Sequence, residues 1–479
     1  MNRQLFVAIA TLVVVQGPSL QAQMPAAKRA REVVAMINTA TPAILRTYVD
    51  TAFGGRMREL PMDAHVDFFF SQRDRSGGLE WVSVQEESAG RAIILLRQKL
   101  TGETMALVVG VEEAAPHKVV GLGQRPPPPS PAARMSSDAD MVRALEEYVA
   151  KLVKADVFSG SVLLAKDGRT LFSGAYGQAN RDFAAPNAID TKFNLGSMNK
   201  MFTSVTIAQL VEQGKLSYED PLSKFLPDYP SPAAAKKIRI KHLLTHTAGL
   251  GSYFNDEFDR ASRARFRTVD DMMQLAKGDS MAFEPGTRWA YSNTGMLVLG
   301  KVIEVVTKQD YFAYVREHLS KPAGMTNTDA YELDRVNPNL AVGYQKEYAE
   351  DGSKQYRNNI FMHVMRGGPA GGGYSTAPDL LRFAQALTSG KLVRPQTYEL
   401  MTTPKPEVNS PRYGYGFGVD PQSGIVGHSG GFPGISSNLD IFKGTGYVAV
   451  VMSNYGGGSQ PVVEKIRSLV RSRTATAAQ

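Results

Sequence analysis

The stretch "NLGSMNKMF", Asn194 to Phe202, holds Ser197 three residues before Lys200. Average residue usage places about two S-x-x-K matches in a chain of this length by chance, so the tetrad takes its meaning from its surroundings. From Ser197 to Gln213, apolar residues recur at helical spacing through Met201, Phe202, Val205 and Leu210. That pattern predicts a helix with the serine at its N-terminus. Positions i and i+3 share one helix face, which brings the Lys200 amine beside the hydroxyl. A serine hydroxyl is a weak nucleophile that an adjacent neutral amine can deprotonate. Backbone N–H groups at a helix start can hold a developing oxyanion. A serine N-cap beside a solvated lysine explains the same four residues equally well, so the decision rests on the rest of the chain.

Two further triplets follow in order: Tyr291-Ser292-Asn293 within "PGTRWAYSNTG", and His428-Ser429-Gly430 within "GHSGGFPG". With S-x-x-K, they resemble the serine β-lactamase and penicillin-binding protein superfamily, in its class C, esterase and D-peptidase branch. That family carries S-x-x-K, Y-x-N and K-T-G or H-x-G. The phrases "IRIKHLLTHTAGL" (Ile238–Leu250), "VREHLSKPAGMTNT" (Val315–Thr328) and "AGGGYSTAPDLLRFAQAL" (Ala370–Leu387) match it as well. The resemblance covers about Ser136 to Ser472.

The resemblance implies a role for each matching residue. Ser197 corresponds to the nucleophile that becomes acylated, and Lys200 to the base that takes or relays its proton. Tyr291 corresponds to the tyrosine that passes protons to the leaving group and helps activate the deacylating water. Asn293 corresponds to the amide that contacts substrate and Lys200. His428, Ser429, Gly430 and Gly431 fall on the strand that flanks the cleft, where the N–H groups of Ser197 and Gly431 would form the oxyanion hole. One departure matters: His428 stands at the lysine position of K-T-G. A lysine there is a permanent cation for a β-lactam carboxylate, whereas histidine is neutral or partly charged near neutral pH. H-x-G is found in esterases, D-aminopeptidases and some DD-peptidases of the family. No E-x-x-L-N motif supplies a class A deacylation glutamate.

Other candidates are weaker. His242 and His246 have the i, i+4 spacing of helical zinc ligands, but no glutamate follows His242 as in H-E-x-x-H. The family likeness makes this segment a structural turn beside the active site. "GGPAGGGYST" lacks the G-K-[ST] ending of a phosphate loop and reads as tight backbone packing. "GSYFNDEFDR" (Gly251–Arg260) and Phe361 to Arg366 are expected as cleft loops. No metal or organic cofactor is implied.

Around this core the chain has a clear organisation. "RPPPPSP", Arg125 to Pro131, reads as a semi-rigid spacer. The expected layout is an export segment over 1–22, a small accessory domain over 24–123 and a linker over 124–135. The hydrolase domain follows over 136–472, with a disordered tail over 473–479. In the accessory domain, one or two helices around Pro42 precede the β-rich runs "LEWVSVQEES", "RAIILLRQKL", "TMALVVGVEE" and "KVVGLGQ", an α+β pattern. His65 and His117 stand isolated there, as surface or hydrogen-bonded histidines. The second domain opens with a helix capped at Ser136-Ser137-Asp138, with Val142, Leu145, Val149 and Leu152 on its apolar face. Next come two strands joined at Asp167-Gly168, a two-residue hairpin signal. Four strand-like runs and a helix over about 460–472 end the chain. Strands at both ends of a helical insert imply one antiparallel sheet built from both termini and flanked by helices. With the helical insert as a subdomain, the expected fold class is α/β (α+β), β-lactamase-like.

Composition bounds the rest. Of 479 residues 43% are hydrophobic, which suits a globular chain of two or three domains. Arg3, the apolar run Leu5–Val15 and Gly17-Pro18 read as a secretory signal, too short for the ~20 residues that span a bilayer. The expected location is therefore periplasmic or secreted, without stable membrane insertion. With no cysteine there are no disulfides and no thiolate sites. The formal charge of +8 carries no basic block interleaved with aromatics, which argues against nucleic acid.

The functional expectation is an exported serine hydrolase that works through an acyl-enzyme on a small-molecule carboxylic ester, or a D-amino-acid amide or peptide. The alternatives are a DD-carboxypeptidase or β-lactamase-type enzyme, and a penicillin-binding sensor that turns over slowly.

Overall fold

A computed structural model describes residues 24–125 and 135–477. The export segment expected over 1–22 and the proline run of the linker lie outside the described residues. The described chain divides into two compact units, one of 24–73 with 78–125 and one of 74–77 with 135–477.

In the first unit, α1 (Pro25–Thr39), α2 (Pro42–Ala52), α3 (Gly55–Glu59) and α4 (Met62–Ser76) precede an antiparallel meander. Its strands are β1 (Leu79–Ser88), β2 (Arg91–Gln98), β3 (Thr104–Val111) and β4 (Val119–Arg125), in that order. Pro42 starts α2, and Thr41 caps it by accepting the Ile44 N–H. The stripe Ala26, Ala30, Val33 and Ile37 of α1 is buried, and α1 packs on β2 and β3. Four helices replace the expected one or two. Met62–Ser76 lacks a clean 3.6-residue stripe: Phe68, Phe69 and Phe70 are consecutive, and only the latter two are fully buried. β4 also continues through Arg125, two residues past the expected domain end. His65 is buried edge-on to Phe53 at 5.2 Å, and His117 Nδ1 lies 3.1 Å from the Glu112 carbonyl.

The second unit opens with α5 (Asp138–Lys154), capped by Ser137, which accepts the Asp140 N–H at 3.1 Å. Its buried stripe is Met141, Leu145, Tyr148, Val149 and Leu152. Met141, four residues before Leu145, takes the place expected for the half-buried Val142. β5 (Gly160–Lys166) and β6 (Arg169–Tyr176) meet at Asp167-Gly168, both at positive φ (49° and 80°), as a type I′ turn requires. They join β7 (Gly418–Asp420), β8 (Ile425–Phe432), β9 (Ile435–Phe442) and β10 (Tyr447–Ser453) in one antiparallel sheet, order β7-β8-β9-β10-β5-β6. First and last strands thus pair in the interior, Tyr447 opposite Lys166 and Ser453 opposite Gly160.

Both faces of this sheet are covered. Leu163 and Ala165 of β5, with Leu439 of β9 and Val450 and Met452 of β10, join a large core around α6 (Asn199–Glu212). Val162 and Leu164 alternate to the other face. There α5 and α8 (Gln460–Ala477) pack on each other and on β6 and β10. α6 is buried nearly all round, from Asn199 to Leu210. α8 runs five residues beyond the expected Ser472, so 473–477 is helix where a disordered tail was expected. Arg473 Nε donates to Asp138 Oδ1 at 3.0 Å. None of the described helices is long and apolar enough to cross a membrane.

Candidate active site

Ser197 sits in a single 3₁₀ turn, Gly196–Met198, that leads into α6. Gly196 has φ +50°, and a Cβ there would stand 2.9 Å from the Gly431 amide nitrogen. On the facing strand a Cβ at Gly430 would collide with the Leu195 carbonyl. Only glycines let β8 approach the Ser197 turn this closely. From the other side the Leu195 N–H donates to Gly373 O at 2.7 Å, and the Gly373 N–H donates to Asn199 Oδ1 at 2.8 Å. The glycine run 367–373 is therefore tight backbone packing, as its sequence implies.

Lys200 is completely buried. Its Nζ lies 3.0 Å from Ser197 Oγ, 2.9 Å from Asn293 Oδ1 and 2.6 Å from the Ala370 carbonyl. The last two atoms can only accept, so two N–H bonds are committed to them. Burial holds the amine well below the usual lysine range. A neutral amine has two N–H bonds and one lone pair, and here the lone pair is left facing the Ser197 hydroxyl. That arrangement can take the hydroxyl proton.

Ser292 caps α7 (Asn293–Thr307), accepting the Gly295 N–H at 2.8 Å and donating to Gly251 O at 2.9 Å. This fixes Tyr291 and Asn293 on either side of the cap. Asn293 Nδ2 donates to Ser252 Oγ at 3.1 Å, which orients its Oδ1 toward Lys200. The Tyr291 ring centre is 4.8 Å from Lys200 Nζ. Burial pushes its phenol up to about 12, offset in part by a hydrogen bond with Ser197. The residue as a whole is 40% exposed, so the desolvation acts on its hydroxyl end.

His428 Nδ1 lies 2.6 Å from the Ser429 carbonyl, and Nε2 lies 2.9 Å from the Tyr413 hydroxyl. A carbonyl cannot donate, so Nδ1 carries the proton and Nε2 accepts from Tyr413. Burial, then the nearby Lys200, lowers the imidazole to about 4, so it is neutral at pH 7.

The Gly431 amide is free for a ligand by strand geometry. The two-residue turn Pro433-Gly434 closes on the Phe432–Ile435 pair, with Gly431 opposite Ser436 next along. Hydrogen-bonded and open pairs alternate, so the Gly431 N–H points away from β9. β7 pairs with β8 only as far as Gly427. Ser429 is exposed beside it.

The structure thus gathers Ser197, Lys200, Tyr291, Asn293 and His428 with the Gly430-Gly431 edge. It adds three participants that residue types did not announce, the Ala370 carbonyl, Ser252 and Tyr413, and sets His246 against the Tyr291 ring. The expected cleft loops contribute Phe254, whose ring is 5.8 Å from Phe432, and His363, 5.6 Å from Phe432. His242 Nδ1 accepts the Arg239 N–H at 3.2 Å and His246 Nδ1 accepts the Ser292 N–H at 3.2 Å. No cluster of three metal-ligating side chains occurs among the described residues.

Residues 141–471 match the beta-lactamase family. The chain is 33% identical over 307 residues to PbpX of Bacillus subtilis, covering 64% of this chain and 73% of that protein. The crystal structure of a penicillin-binding protein from Bacillus halodurans superposes with a TM-score of 0.60 at 30% identity, over 66% of this chain and 98% of that one. A D-stereospecific amidohydrolase from Streptomyces gives a TM-score of 0.55 at 27% identity, over 68% and 98%.

Proposed function

The chain belongs to the beta-lactamase family and is a serine hydrolase, and we propose that it hydrolyses carboxylic esters or D-amino-acid amides and peptides through an acyl-enzyme on Ser197. The observation that carries this is the buried Lys200 Nζ, 3.0 Å from Ser197 Oγ and held by the acceptors Asn293 Oδ1 and Ala370 O, so that a neutral amine there keeps its lone pair for the hydroxyl.

In acylation Lys200 takes the Ser197 proton as Oγ bonds to the substrate carbonyl carbon. The oxyanion lies between the N–H groups of Ser197 and Gly431. The C–O or C–N bond then breaks, and the leaving group receives a proton through Tyr291. In deacylation water gives its proton to the Tyr291–Lys200 pair as its oxygen bonds to the acyl carbon; the bond from that carbon to Ser197 Oγ then breaks, and Oγ takes the proton back from the pair. The cycle consumes one water.

His428 supports this choice of substrate class. Neutral and held between Ser429 and Tyr413, it presents no cation to a substrate carboxylate, which favours esters and amides over C-terminal carboxylates and β-lactams. Phe254, 42% exposed, and Phe432 place an aromatic wall beside the Gly431 edge, suited to an apolar acyl side chain. The likeness to a D-stereospecific amidohydrolase supports the amide reading. Export is supported by the basic start and apolar run ahead of the first helix.

Intact-mass spectrometry with a fluorophosphonate and a penicillin, on wild type and Ser197→Ala, tests the nucleophile. Full labelling of the alanine variant would remove Ser197 from the role. Release rates from p-nitrophenyl butyrate, D-phenylalanine amide and a D-Ala-D-Ala peptide then rank the substrates. Fastest turnover of the last, or a stable stoichiometric penicillin adduct, would move the assignment to a DD-peptidase or a sensor.

A further inference from the structure

His246 has no part in the proton path above, yet it is 1% exposed at the heart of the site and holds φ +60°. Its carbonyl accepts the Ala290 N–H at 2.9 Å, and its Nδ1 accepts the Ser292 N–H at 3.2 Å. These are the two residues flanking Tyr291. Its ring lies 4.5 Å from the Tyr291 ring and 4.7 Å from Tyr413, with Trp289 edge-on at 6.0 Å. One residue therefore grips the backbone before and after Tyr291 and supports the face of its phenol.

The grip requires a particular ring state. Nδ1 can accept the Ser292 N–H only while it is unprotonated, so the single ring proton belongs on Nε2. Burial, with Lys200 and His428 nearby, keeps the imidazole neutral. A ring that gained a second proton would turn an N–H toward the Ser292 N–H and release the far side of the bracket.

We propose that His246 is a positioning residue for Tyr291, bracketing it through Ala290 and Ser292 so that the phenol stays beside Ser197 and Lys200. The inference rests on Tyr291 delivering the proton to the leaving group. If it does, loosening Tyr291 hurts most where the leaving group most needs protonation.

The test uses Tyr291→Phe, His246→Phe and His246→Asn. Phenylalanine fills the ring volume without an acceptor. Asparagine offers an acceptor near the Nδ1 position and tolerates φ near +60°. kcat/KM is measured on one acyl group with p-nitrophenyl, phenyl and ethyl ester and amide leaving groups. Rates are normalised to fluorophosphonate-titrated Ser197, so that misfolded chains drop out. Should His246→Phe give no titratable protein, His246→Gln replaces it, since its amide reaches past the Nδ1 position.

The expected result for His246→Phe is a loss of about tenfold on the p-nitrophenyl ester and about a hundredfold or more on the ethyl ester and amide, within the range of one acid–base group. His246→Asn should recover most of it. An equal loss on every leaving group, or no recovery by asparagine, would overturn the positioning role. If Tyr291→Phe itself shows no dependence on the leaving group, the role of Tyr291 falls and the inference with it.

Discussion

The Lys200 amine meets the Ser197 hydroxyl at 3.0 Å while the Ala370 carbonyl holds it from behind at 2.6 Å. A backbone acceptor cannot rotate away, so the amine has one orientation, with its remaining lone pair toward Oγ. Burial then works with geometry, because it disfavours the ammonium form that would turn a third N–H toward the serine.

The pH dependence of acylation should follow from this pair. Lowering the pH protonates the Lys200 site and removes the lone pair, so kcat/KM falls on the acid side. Raising it reaches no comparable loss until Tyr291 ionises, at about 12. The expected profile is an acid limb and a plateau extending past pH 10, measured as kcat/KM on a neutral ester. Lys200→Arg should abolish the acid limb and lower turnover about a thousandfold, since guanidinium keeps its charge and offers no lone pair. A bell with its alkaline limb near pH 8 would contradict the assignment.

The glycines around Ser197 should be intolerant of a single methyl. A Cβ on Gly430 meets the Leu195 carbonyl, and one on Gly196 meets the Gly431 amide nitrogen at 2.9 Å and carries φ +50°. Either alanine must push β8 from the Ser197 turn and widen the space between the Ser197 and Gly431 amides. Gly430→Ala and Gly196→Ala should each lose about 1–3 kcal/mol of stability and about a hundredfold in kcat. Chemical denaturation and ester turnover check both. Wild-type kcat in either variant would mean the two amides do not act together.

What could be read from the chain follows the physics of each element. β5 and β10 carry apolar runs, β8 and β9 are set off by glycine turns, and Asp167-Gly168 has one conformation compatible with a tight hairpin. α4 was not legible, because three consecutive phenylalanines among charges have neither a helical nor a strand period. The side chains of the site stood out because S-x-x-K, Y-x-N and H-x-G place acid–base chemistry at fixed spacing. The Ala370 carbonyl could not stand out: every residue has one, and only the fold decides which faces an amine. Tyr413 and Ser252 act through partners 15 and 41 residues away, and a local pattern carries no trace of that. His246 was visible as a residue but readable only as a turn, since its role depends on backbone N–H groups at Ala290 and Ser292.

Buried neutral histidines should make the protein acid-sensitive above the carboxylate range. Burial is the leading cause at His242, His363 and His428, each lowered to about 4, and at His246, held well below the usual histidine range. Unfolded histidine titrates near 6.5, so between pH 6.5 and 4 the unfolded chain binds protons that the folded chain refuses. Stability from these groups is complete above about 6.5 and falls as pH drops toward 4. Glu464, raised by burial, acts in the opposite sense but is one group against four. Unfolding at pH 5 should take up about three protons, and the urea midpoint should be lower at pH 5 than at pH 7.5. Equal midpoints would show that these histidines titrate alike in both states.

Replacing the neutral ring on β8 by a cation should redirect substrate choice. His428 accepts from Tyr413 and donates to Ser429, so it offers a substrate no charge. His428→Lys would set an ammonium on the same strand, and one charge-assisted hydrogen bond to a carboxylate contributes about 1.5–3 kcal/mol. The kcat/KM ratio of a penicillin, or of a D-Ala-D-Ala peptide, to p-nitrophenyl butyrate should therefore rise about tenfold or more. The same change leaves the buried Tyr413 hydroxyl without its acceptor, which should cost about 1–3 kcal/mol of stability. His428→Gln separates the two effects: its amide can accept near the Nε2 position without charge, so the tyrosine stays satisfied and the ratio should not move. If lysine leaves the ratio unchanged while lowering stability, His428 supports Tyr413 but does not face the substrate. The proposed preference for esters and amides would then rest on the Phe254–Phe432 wall alone.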